Sequence, residues 1–141
     1  MFKHLLLAVD VNAPDSASRS TEAAVSMARA HGAVLHLLNV VPDQGMPIVS
    51  ASLDKDHTAH MIELAENALK AWAKAHVPED VDRKLHVAEG TVYDQIIKVS
   101  DRLKIDVIVV GAHRPELRDY LMGPNAARVA RHANQSVFVV R

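Results

Sequence analysis

Five short apolar runs, each followed by a segment of helical periodicity or by the end of the chain, are what most limit how this sequence can fold. Leu5–Val9 is a continuous apolar run ending at Asp10. Val34–Val41 is a second, interrupted by His36 and Asn39. Leu85 and Val87 alternate with Lys84 and His86. Ile105–Val110 is rich in β-branched residues, and Val137–Val140 ends the chain. Continuous runs suit strands covered on both faces, whereas alternation marks a half-exposed strand at an edge.

Four helices are expected between these runs. Asp15 or Ser16 can cap the first and His31–Gly32 can end it. The second places Met61, Ala65, Ala68 and Trp72 on one face, and the third repeats the spacing with Val92, Ile96, Val99 and Leu103. Thr91 and Asp94 stand at capping-box spacing before the third. The fourth opens at Gly123–Pro124, where a first-turn proline is tolerated, and runs to about His132. Pro42–Asp56 reads as a long loop. The alternation implies an α/β domain, a doubly wound parallel sheet with helices on both faces. Strand order cannot be read from the pattern.

Composition narrows the function. At 141 residues the chain fits a single domain, 1–141, with a real core. Sixteen Lys plus Arg against seventeen Asp plus Glu give no general attraction to nucleic acid or anionic membrane. No cysteine is present, which removes disulfides, thiolate metal sites and thiol catalysis. The first apolar run is too short for a signal peptide and none reaches membrane-spanning length, so a cytoplasmic protein without membrane insertion is expected.

In doubly wound sheets ligands sit outside the carboxyl ends of the strands. Asp10, Val40 and Gly111 stand at three such ends. A basic loop, Ala112–His113–Arg114–Pro115, follows Gly111, and Gly123–Pro124–Asn125 then opens a helix. Glycine allows close backbone approach, and a helix start offers free N–H groups and partial positive charge, a combination suited to phosphate.

These residues carry a resemblance. The chain resembles a universal stress protein of the UspA-like kind over essentially its whole length, through LLLAVD, VLHLLNVVP, VAEGTVYDQI and DVIVVGAHRPELRDYLMGPNAARVARHANQSVFVVR. The resemblance implies five parallel strands in the order 3-2-1-4-5. It also implies a nucleotide loop reading glycine, two residues, glycine, nine residues, glycine, then Ser or Thr. Gly111 matches the first glycine, Arg114 replaces the second, and Gly123 matches the last at a spacing one residue shorter. Pro124 replaces the Ser or Thr, and Val11–Asn12 follows Asp10 where Gly–Ser is common. The Gly-Ala-His-Arg-Pro loop resembles that of a subgroup.

On this resemblance the cofactor is ATP or a related adenine nucleotide, with any Mg²⁺ held mainly by phosphate and water. The binding residues are Asp10, Val40, Gly111, His113, Arg114, Gly123 and Asn125. Each has a second reading. Asp10 is a ribose ligand or a turn residue, and Val40 an adenine neighbour or plain core. The glycines cradle phosphate or cap turns, and Asn125 contacts phosphate or is an ordinary early-helix residue. His57, His60 and Glu63 have metal-binding spacing, but a polar helix edge is the plainer reading and no metal is assigned. The remaining histidines look scattered. No nucleophile with an adjacent base is visible, so catalytic residues are unassigned.

Three functions follow, in this order: a nucleotide-binding regulatory stress-response protein acting on an unknown protein partner; an interaction module that has lost the nucleotide; and a slow ATPase or self-modifying phospho- or adenylyl-protein. A homodimer through Val137–Val140 is expected, because an apolar edge strand leaves backbone groups unpaired.

Overall fold

A computed structural model of the chain describes residues 1–12, 18–42, 51–112 and 123–141, with backbone alone at 18, 51–55 and 123–124. The elements run β1 (His4–Ala8), α1 (Ser18–His31), β2 (Val34–Pro42), α2 (Ala51–His76), β3 (Arg83–Gly90), α3 (Val92–Arg102), β4 (Val107–Gly111), α4 (Gly123–His132) and β5 (Ser136–Val140). All neighbouring strands pair in parallel, in the order β3-β2-β1-β4-β5. This is the doubly wound order that the resemblance implied.

Strand alternation divides the core into two layers. Leu5, Leu7, Leu35, Leu37, Val107 and Val109 face one side, where Ala24, Val25 and Ala28 of α1 and Leu69, Trp72 and Ala73 of α2 cover them. Leu6, Ala8, Leu38, Val40, Ile108 and Val110 face the other, under Val92, Ile96 and Val99 of α3 and Ala126 and Val129 of α4. Burial on both faces explains the unbroken apolar runs of β1 and β4. The edge strand β3 keeps Lys84 and Glu89 exposed, as its alternation indicated.

Side chains close the joints. The Asp106 carboxylate accepts from the N–H groups of Lys3 and His4 at 2.8 and 2.9 Å, tying the start of β1 to β4. Those two donors hold its pKa below the usual carboxylate range. The Arg83 guanidinium donates to the carbonyls of Ala73, Val77 and Pro78 at the end of α2, satisfying acceptors that a helix terminus leaves open. Arg29 forks onto Asp80 with two bonds of 2.8 Å on the surface.

Several expectations change. The second half of the Pro42–Asp56 loop is helix, because α2 already begins at Ala51 in a stretch free of proline and glycine. Residues 43–50 lie outside the described residues. The buried stripe of α2 passes through Leu69 rather than the exposed Ala68, since the larger side chain gains more by leaving water. Asp15 and Ser16 lie outside the described residues. Thr91 is the N-cap of α3 by backbone geometry, but its side chain makes no capping bond. Asp94 instead pairs with Lys98 at 2.8 Å. Three of the histidines read as scattered, His4, His36 and His86, line up across β1, β2 and β3.

Two glycines hold conformations that L side chains resist. Gly32 ends α1 with φ of +61°, and Gly90 ends β3 with φ of +141°. A Cβ on Gly90 would also stand 2.8 Å from Nε2 of Gln95, whereas one on Gly32 would meet nothing within 4 Å. Gly32→Ala should therefore cost about 1–2 kcal/mol from backbone strain alone. Gly90→Ala should cost about 1–3 kcal/mol, with the Gln95 side chain displaced. Urea unfolding of both variants checks the values.

Candidate functional site

The site is built where the strands of the buried centre end. β1 stops at Ala8, which pairs with Leu38, and the Val9 N–H donates to the Leu38 carbonyl at 2.8 Å. Asp10 follows immediately and is only 5 % exposed. Its Oδ1 accepts from the N–H of Asn12 at 2.9 Å, an Asx turn. The turn reading of Asp10 therefore holds for this oxygen.

Val40 lies at the same end of β2, opposite Ala88, with its side chain packed among Ala8, Val92 and Ala126. It is core, as the plainer reading had it. Gly111 ends β4 on the other side of β1, level with Val140. Pairing persists one residue further, where the Ala112 N–H donates to the Val140 carbonyl at 2.7 Å. Asp10, Val40 and Gly111 thus stand at the same edge of three adjacent strands.

The start of α4 is brought to that edge by packing. Ala126 is buried with Ala8, Val40, Val92 and Val110, so the helix beginning at Gly123 opens over the strand ends. The first backbone N–H groups of such a helix have no partner within it and carry partial positive charge. His113 and Arg114 lie outside the described residues.

Asn125 has a role the sequence did not disclose. Its Oδ1 accepts from the Tyr93 N–H at 3.0 Å, at the second position of α3. A side chain from α4 therefore performs the capping that Thr91 was expected to supply. The same helix reaches back through Arg128, whose guanidinium carbon sits 5.2 Å from the Tyr93 ring centre. These contacts lock the starts of α3 and α4 together beside the strand ends. No local pattern predicts them, because the partners are 32 residues apart.

His57, His60 and Glu63 lie on the exposed side of α2. Among the described residues no three His, Cys, Asp or Glu side chains converge as a metal-ion site. Nor is any helix among them long and apolar enough to cross a membrane.

Comparison with known proteins agrees with this fold. The model of the universal stress protein family matches residues 1–141. Universal stress protein G of Shigella flexneri is 34 % identical over 150 residues, covering all of both chains. Among solved structures, universal stress protein UspA from Lactobacillus plantarum superposes with a TM-score of 0.70 at 24 % identity, covering 99 % of this chain and 98 % of that one. A universal stress protein in complex with cAMP gives 0.62 at 22 %, covering 99 % and 97 %. The protein from Archaeoglobus fulgidus in complex with dAMP gives 0.61 at 19 %, covering 99 % and 98 %.

Removing the Asn125 amide should leave the Tyr93 N–H without its acceptor. Asn125→Ala is expected to lower stability by about 0.5–2 kcal/mol, the usual cost of losing a helix cap. Asn125→Asp should recover most of it, because the acceptor oxygen is kept at a helix start. Chemical unfolding of the two variants against the parent reads the difference.

Proposed function

This chain belongs to the universal stress protein family, and on that premise we propose that it is a cytoplasmic regulatory stress-response protein that binds an adenine nucleotide and signals through the conformation of the loop between Gly111 and Gly123. The observation that carries the reading is the alignment of Asp10, Val40 and Gly111 at one edge of three adjacent strands, with the start of α4 over them. The similar structures holding cAMP and dAMP support adenine as the base. In this reading Asp10 accepts from ribose and Val40 borders adenine. Gly111, His113, Arg114 and Gly123 hold phosphate, with Asn125 contributing through its backbone N–H at the helix start, and Mg²⁺ is carried by phosphate and water.

Arg114 takes the place of the second glycine of the family loop. A guanidinium supplies two donors to a phosphate and so offsets backbone donors that a residue with a Cβ cannot bring as close. Pro124 supplies neither hydroxyl nor N–H. That substitution favours the second reading, an interaction module without nucleotide.

Calorimetry separates the two. The protein should bind ATP or AMP, and Arg114→Ala should weaken ATP by roughly 1.5–3 kcal/mol, the worth of a charge-assisted bond, with a smaller effect on adenosine. Asp10→Ala should weaken both. Absence of binding at millimolar nucleotide would establish the interaction module instead, and steady phosphate release would favour slow ATP hydrolysis.

The regulatory output is proposed to pass through a homodimer and a further protein partner. β5 is an edge strand of the sheet, with Phe138 and Val139 44 % and 40 % exposed. An exposed apolar edge is relieved when Val137–Val140 pairs with the same strand of a second copy. Light scattering at micromolar concentration should report a dimer, and Val139→Lys should convert it to monomer. An unchanged dimer in that variant places the interface elsewhere.

A further inference from the structure

His4, His36 and His86 form a hydrogen-bonded ladder that climbs diagonally across β1, β2 and β3. Nδ1 of His4 lies 3.1 Å from Nε2 of His36, and Nδ1 of His36 lies 2.9 Å from Nε2 of His86. The rings of His36 and His86 stack at 5.2 Å. His36 is 3 % exposed, so both of its nitrogens are satisfied by imidazole in place of water. Its pKa is pushed down to about 4, by burial first and then by the neighbouring His86, His4 and Lys84, with Asp82 opposing. Burial, Arg102 and Lys84 likewise lower that of His86.

Proton counting gives this ladder a definite capacity. Three neutral imidazoles carry three protons on six ring nitrogens. Two protons lie in the two N–H···N bonds and the third sits on an outer nitrogen. A fourth proton occupies the other outer nitrogen and leaves both bonds intact. A fifth would leave one lone pair for two bonds, so one bond would break. The ladder therefore accommodates a single excess proton, and passing protons along its two bonds moves that charge between His4 and His86 without moving a ring across the sheet.

The His86 end opens on a cleft. Glu66, Leu69 and Lys70 of α2, Leu85, His86 and Val87 of β3, and Arg102 of α3 line about 340 Å³ at the outer side of the edge strand. Among the described residues neither Lys70, Lys84 nor Arg102 has an ion-pair partner. Glu66 is the acidic group of the lining. The other charged groups around the ladder are Lys84 on β3, Asp82 just before that strand and, at the far end, Asp106, whose carboxylate accepts from the His4 N–H. The cations on the cleft side disfavour an excess proton on His86, and an anion seated among them would reverse that balance.

We propose that this cleft is a proton-linked oxyanion site, in which Lys70, Arg102 and the outer nitrogen of His86 hold a compact anion of sulfate or phosphate chemistry, while the His4–His36–His86 ladder stores the accompanying proton. The site lies at the β3 edge and is made of residues separate from the strand-end nucleotide site.

Sulfate is the suitable probe, because it does not titrate between pH 7.5 and 5.5. Titration of the whole protein, followed by imidazole ¹⁵N signals with chloride at equal ionic strength as control, should show binding that strengthens on acidification. The limit is about tenfold per pH unit for one linked proton. The His4 ring signals should move with those of His86, although His4 stands two strands from the cleft. In His36→Leu, sulfate should still shift His86 but no longer His4. Where that variant fails to fold, His86→Asn should abolish both sulfate binding and its effect on His4. Sulfate acting no differently from chloride overturns the site, as does sulfate that perturbs Tyr93 and Asn125 while leaving His86 unmoved. A response confined to His86 in the parent protein overturns the shared proton.

Discussion

Strand β1 is hydrogen-bonded to β2 on one side and β4 on the other, and Leu5, Leu6 and Leu7 are wholly buried between two helical layers. Each residue of that strand is committed to a face by the pleat, so a shift of one residue would turn every side chain over. The apolar identity of three consecutive leucines tolerates such an exchange of faces. What fixes the register is polar. Asp106 captures the N–H groups of Lys3 and His4, and the Val9 N–H bonds Leu38 just before Asp10 begins its turn. The position of Asp10 at the sheet edge follows from those bonds, and the candidate site inherits its geometry from them.

The elements legible in sequence were those whose own periodicity settles them. The run Ile105–Val110, the stripe Val92, Ile96, Val99, Leu103, and the proline-marked start of α4 all correspond to observed elements, with ends displaced by a residue or two. Each pattern is local, and burial acts on it directly. The misread details depend on partners distant in the chain. Thr91 carries the spacing of a cap, yet the donor it would serve is taken by Asn125 from another helix. Ala68 has the right offset from Trp72, yet Leu69 wins the interior because a larger apolar side chain is available one position away. His36 and His86 seemed isolated because a parallel sheet joins residues across long crossovers, and only strand order and register bring them within bonding distance.

The candidate site was legible to a similar extent for the same reason. Asp10, Val40 and Gly111 follow from where strands end, a property of each run taken alone. The joining of α3 and α4 does not, and it changes what Asn125 means. Its side-chain oxygen accepts from the Tyr93 N–H and so positions the helix start. Pro124, one residue before Asn125, contributes no N–H.

The two ends of β1 show how a doubly covered sheet handles polar groups. At the carboxyl end Asp10 is buried where the strand ends, so a backbone N–H of its own turn reaches it. On β2, by contrast, His36 lies within the strand under the α3 layer, where neither turn backbone nor water is at hand. An unpaired imidazole there would cost on the order of 1–3 kcal/mol. Serine or asparagine would not span the distance to both neighbouring strands, while imidazole presents nitrogens on opposite sides of a rigid ring. Satisfying the first histidine therefore calls for a second and a third, and the partly exposed outer rings are where the chain of bonds can meet solvent.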